Sequence, residues 1–77
     1  MVEEEDARAR IERDIRAFDE NVKSVGAHPE NAHVVELARM YASDAKSYLD
    51  QNRLYTAFSC ISYAHGLIDA LRELAKK

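Results

Sequence analysis

The side chains able to do chemistry gather in two short stretches. One reads Tyr41-x-x-Asp44-x-x-x-Tyr48, the other Tyr63-x-His65-Gly66-x-x-Asp69. On helices, Asp44 and Tyr48 are i,i+4 neighbours, as are His65 and Asp69. Tyr41 and Tyr48, seven apart, share one face. Two roles suit such a set. As architecture, the rings fill a seam between helices while their hydroxyls reach carboxylates or solvent and fix register. As function, Tyr41, Asp44, Tyr48, Tyr63, His65, Gly66 and Asp69 form a polar-aromatic face for a ligand or a partner. A metal site is a poor fit, because His65 has no second histidine at ligand spacing. His28 and His33, five apart, do not share a face. Gly66 interrupts a helical pattern at a cost of about 1 kcal/mol against alanine. Its expected compensation is close approach of a neighbouring helix, room for a Tyr or Phe18, or the floor of a groove.

Catalytic motifs are missing. Gly26 and Gly66 are the only glycines, so no Gly-rich phosphate loop exists. There is no Cys-x-x-Cys and no His-Glu-x-x-His. Ser62, His65 and Asp69 have neither a nucleophile elbow nor an oxyanion hole around them. The expectation is a protein that is not an enzyme and uses no cofactor and no metal. Cys60 is the single cysteine. It cannot close an internal disulfide, fits a reducing compartment, and reads as a small buried hydrophobe.

The formal net charge of −3 argues against a nucleic-acid partner. Acids crowd residues 1–20, where eight face four arginines. That placement complements the dipole of a first helix. No apolar run approaches the ~18 residues of a membrane span. The acidic opening also lacks the basic start and apolar run of a signal peptide, so a cytoplasmic location is expected.

The elements that must position these residues are helical. At 77 residues the chain supports one domain, residues 1–77, with one modest core. Helix 1 is predicted over about 3–25. Ala7, Ile11, Ile15, Phe18, Val22 and Val25 form a seam, with steps alternating between four and three after Ala7. Glu4/Arg8, Asp6/Arg10, Glu12/Arg16 and Asp19/Lys23 are acid-then-base i,i+4 pairs on its wet side. Gly26 suits the left-handed conformation that ends a helix, and Pro29 suits the first turn of the next.

Helix 2 is predicted over about 29–50, with Ala38, Ala42 and Ala45 permitting close approach. Asn52 is its expected terminator. Helix 3 is predicted over about 54–75. Its apolar set runs through Leu54, Ala57, Phe58, Cys60, Ile61, Ala64, Leu67, Ile68, Leu71, Leu74 and Ala75, wider than one stripe. It therefore covers both other helices or keeps apolar surface for a partner. Short connections make the whole an all-α, three-helix antiparallel up-down-up bundle. In that hairpin, Tyr41 lies opposite Ile61 to His65, and the second half of helix 3, with Asp69, faces the first half of helix 2.

The stretch Arg39-Met40-Tyr41-Ala42-Ser43-Asp44-Ala45-Lys46-Ser47-Tyr48-Leu49, a polar turn, and Tyr55-Thr56-Ala57-Phe58-Ser59-Cys60-Ile61-Ser62-Tyr63-Ala64-His65-Gly66-Leu67-Ile68-Asp69-Ala70 resembles a small archaeal family catalogued as domain of unknown function 357. Glu12-Arg13-Asp14-Ile15-Arg16 fits it as well, so the resemblance covers nearly the whole chain. It implies a three-helix bundle with no established activity and no catalytic residues to carry over. Relatives commonly have Gly in the second turn, where this chain has Gln51-Asn52.

Two functions remain as expectations. The first is a non-enzymatic module for protein–protein interaction or oligomerisation, with a partner protein or a second copy docking helix on helix. The alternative is a small-molecule or nucleotide-binding domain that uses the Tyr/Asp face of helices 2 and 3.

Overall fold

A computed structural model describes residues 2–26 and 28–76. Three helices account for nearly all of them: α1 (Val2–Lys23), α2 (Ala32–Asp50) and α3 (Leu54–Ala75), with a 3-10 turn over Pro29–Asn31. The expected all-α architecture is what forms. The boundaries differ at two places. Helix α1 stops at Lys23 rather than Val25, and Gly26 follows in the left-handed region at φ +69°. Pro29 opens the 3-10 turn rather than α2 itself, because the backbone tightens before the regular helix starts at Ala32.

The α2–α3 connection shows why Asn52 can do a glycine's work. Asn52 has φ 59°, a conformation asparagine tolerates better than most residues. Its N–H bonds the Leu49 carbonyl at 2.9 Å, and the Arg53 N–H bonds the Tyr48 carbonyl at 2.9 Å. This pairing is the Schellman motif, which satisfies carbonyls that the helix end would otherwise leave open. The Arg53 guanidinium then lies over the Tyr48 ring at 4.9 Å, closing the motif with a side-chain contact. Arg8 of α1 reaches the same turn. Its guanidinium donates to the Asn52 side-chain oxygen at 2.5 Å and to the Leu49 carbonyl at 3.4 Å. The start of α1 therefore sits at the end of α2, and α1 runs parallel to α3 with α2 antiparallel to both.

The core follows the predicted seams. Ile11, Ile15, Phe18 and Val22 of α1 are buried together with Ala38, Ala42, Ala45 and Leu49 of α2 and Ala57, Ile61, Ala64, Ile68 and Leu71 of α3. Helices α2 and α3 pack most closely, and α1 leans mainly on α3. Alanines occupy much of the α2–α3 seam, so their backbones can approach. The wet side of α1 is less ordered by charge than its sequence suggests. Lys23 pairs with Glu20 at 3.5 Å rather than with Asp19, and Arg8 is drawn to the turn. Glu12/Arg16 and Asp6/Arg10 form no ion pair among the described residues, and the Glu4 side chain lies outside them. Exposed pairs of this kind contribute only tenths of a kcal/mol, so side-chain entropy outweighs them. No helix of the described residues is long and apolar enough to cross a membrane.

Candidate functional site

The seven residues singled out by type and spacing do not share one surface. Tyr41, Asp44, Tyr48 and Tyr63 belong to the α2–α3 side. Tyr41 and Tyr63 meet edge to face, with ring centroids 4.6 Å apart, as the hairpin register predicts. Tyr48 lies under Arg53, near the start of α3 as expected. Asp44 is exposed. It bears on Cys60, whose thiol is pushed above its ordinary value first by burial and then by the Asp44 carboxylate. Cys60 is half-buried rather than buried. A raised value keeps it protonated and poorly nucleophilic at neutral pH. Its alkylation by iodoacetamide is expected to be slow there, and Asp44→Asn to speed it by removing the repulsion. No acceleration in the folded variant would show that Asp44 does not act on the thiol.

His65, Gly66 and Asp69 face α1 instead. The expectation that Asp69 meets the first half of α2 is corrected by its partners. Asn21 of α1 donates from its amide nitrogen to His65 Nδ1 at 3.0 Å and to Asp69 at 3.1 Å. Its amide oxygen accepts from Arg72, so three of its bonding positions are used at once. Arg72 also donates to Ser24 at 3.0 Å and to Asp69 at 2.6 Å. His65 Nε2 donates to the Asp14 carbonyl at 2.8 Å, and Nδ1 accepts from Asn21. The Phe18 ring packs edge-on against the imidazole at 5.7 Å. Together these bonds clamp the second half of α1 to the second half of α3. Asn21 and Arg72 do not stand out in the sequence as members of this cluster. Both look like ordinary surface polar residues, and only the α1–α3 contact distinguishes them.

Gly66 differs from its expected role within the bundle. A Cβ placed there meets nothing within 4 Å, so neither a helix backbone nor a bulky ring of this chain requires the glycine. It lies instead on the floor of an open depression of about 350 Å³ with Asp14, Ala17, Ser62, His65 and Asp69. The same α1–α3 groove continues toward the start of α3. There Ala7, Ile11, Leu54, Tyr55 and Phe58 line a second open hollow of about 210 Å³. Tyr55 is 85% exposed and Phe58 40% exposed at its rim. Helix α3 thus covers both neighbours and still keeps apolar surface. Among the described residues, no group of three or more His, Cys, Asp or Glu is placed to hold a metal.

A family model described as Protein of unknown function (DUF357) matches residues 5–76, spanning all three helices. No curated protein matches the chain.

Proposed function

We propose that this chain, which belongs to the family described as Protein of unknown function (DUF357), is a non-enzymatic docking module that takes a helix against its α1–α3 groove. The observation that carries this reading is the pair Tyr55 and Phe58. Two aromatic rings stand exposed beside Ala7, Ile11 and Leu54, a hollow with almost no polar lining. Exposed aromatic pairs rimming an apolar hollow supply binding energy once water is removed. The polar cluster nearby supports binding over catalysis. His65, Asn21, Asp69 and Arg72 are spent on one another and on the α1 backbone. The half-buried thiol of Cys60 fits a reducing, cytoplasmic setting. The alternative, a small ligand on the Tyr/Asp face, has less support, since its seven residues divide between opposite sides of α3.

The test is accessibility of the groove. The dye 1-anilinonaphthalene-8-sulfonate, added to the dilute folded chain, is expected to fluoresce, and Tyr55→Ser combined with Phe58→Ser to remove most of the signal. Circular dichroism checks that both proteins are folded. A dark wild-type sample, or a signal unchanged in the double variant, would defeat the reading.

A further inference from the structure

The groove carries a pattern that selects its occupant. On α3, Phe58, Ser62 and Gly66 are spaced at i, i+4 and i+8 and so share one face. Phe58 is a knob at one end of that face. Gly66 is an open hole at the other, about 12 Å away at 1.5 Å per residue. Ser62 lies midway. Tyr55 and Asp69 repeat the relation at seven positions on either side of Ser62. The surface is therefore its own complement when reversed end for end. An isologous contact requires this property, in which residue i meets j and j meets i.

Resting on the docking reading above, we infer that the occupant of the groove is a second copy of this chain, packed antiparallel about a two-fold axis at Ser62. Phe58 of each copy enters the depression beside Gly66 of its partner. The absent side chain that the bundle itself does not need becomes the space for that ring. The Tyr55 hydroxyl reaches the partner's Asp69, whose carboxylate has one oxygen, Oδ1, already held by Asn21 and Arg72. Serine at the axis lets the two α3 helices approach. The required area is within reach. A specific interface needs roughly 600 Å² per copy. That is a modest share of the 5406 Å² surface, and the bundle offers one whole side, α1 with α3.

Sedimentation velocity over a concentration series from about 1 to 300 μM, the range suited to a small interface, tests this directly. The wild type is expected to show reversible monomer–dimer exchange. Gly66→Leu fills the hole with a good helix former whose Cβ meets nothing within 4 Å in its own chain. It is expected to weaken dimerisation at least about tenfold while its melting temperature holds or rises. Cys60→Ser with Ser62→Cys is expected to cross-link across the axis under mild oxidation, and Cys60→Ser with Ser43→Cys is not. A wild type that stays monomeric throughout overturns the inference. So does Gly66→Leu dimerising as before, or Ser62→Cys cross-linking no faster than the Ser43→Cys control. Dye binding by a strictly monomeric wild type would leave the docking reading standing with a different partner; loss of dye binding would remove both.

Discussion

Ile15→Asp is expected to abolish the cooperative melting of the domain, leaving a chain without stable helical structure at room temperature. Ile15 is 8% exposed and belongs to the single core formed with Ile11, Phe18, Val22 and the seams of α2 and α3. Among the described residues that core contains no polar or charged side chain. An aspartate introduced there has apolar side chains on its core side, while its outer edge borders an open hollow with Arg16 and Lys46. Removing the buried isoleucine bulk costs about 2–5 kcal/mol by itself. Taking the carboxylate's core side out of water adds to this. A domain of this length has roughly 4–12 kcal/mol in total. Burial would also raise the pKa of the new carboxyl, so its penalty is greatest when it is ionised. Lowering the pH through the carboxylate range is expected to restore part of the helical signal. Circular dichroism melts at neutral and acid pH check both statements. A midpoint close to wild type would mean that the α1 stripe does not face the core.

The success of that stripe explains what the amino-acid pattern conveys. Ile11, Ile15, Phe18 and Val22 recur with the period of a helix, and burial follows the period because apolar area leaves water wherever it can. Asn52 is similarly transparent, since few non-glycine residues accept φ 59° and the turn needs one. The polar residues are different. Tyr63 and His65 are two positions apart, and such residues point to opposite sides of a helix. They could not share a face, yet their chemistry invites grouping. Which neighbour each side of α3 meets is a lateral choice of the bundle. Apolar periodicity fixes the inward direction but not whether Asp69 finds α1 or α2. The clamp through Asn21 and Arg72 decides it, and that clamp exists only once the helices are placed. Gly66 leaves its three possible compensations open in the sequence for a related reason, and only the placed helices select the groove floor. Its cost is local and visible in the sequence, whereas its compensation is not found within the chain.

Packing of small residues rather than large ones governs the second strong expectation. Ala38 and Ala45 on α2 and Ala57 and Ala64 on α3 are completely buried, and these two helices approach each other most closely. Ala45→Leu is expected to lower stability by about 1–3 kcal/mol. In a domain of this size each kcal/mol shifts the midpoint by about 4–8 °C. The direction is not obvious from composition. Leucine is nearly as good a helix former as alanine and more apolar, so propensity and transfer both leave it harmless or favourable. Sterics must outweigh them. Three additional carbons at a position with no free volume force α2 and α3 apart or push side chains off their rotamers, and every contact along the seam then weakens. Ala70→Leu supplies the control, because Ala70 lies on an exposed face of α3. Its midpoint is expected to stay within about 0.5 kcal/mol of wild type. Equal stability of the two variants in chemical denaturation would show that the alanines do not set the α2–α3 distance. A selective loss in Ala45→Leu would identify close helix approach, rather than total apolar area, as what holds the hairpin together and keeps α3 in place to present its outer groove.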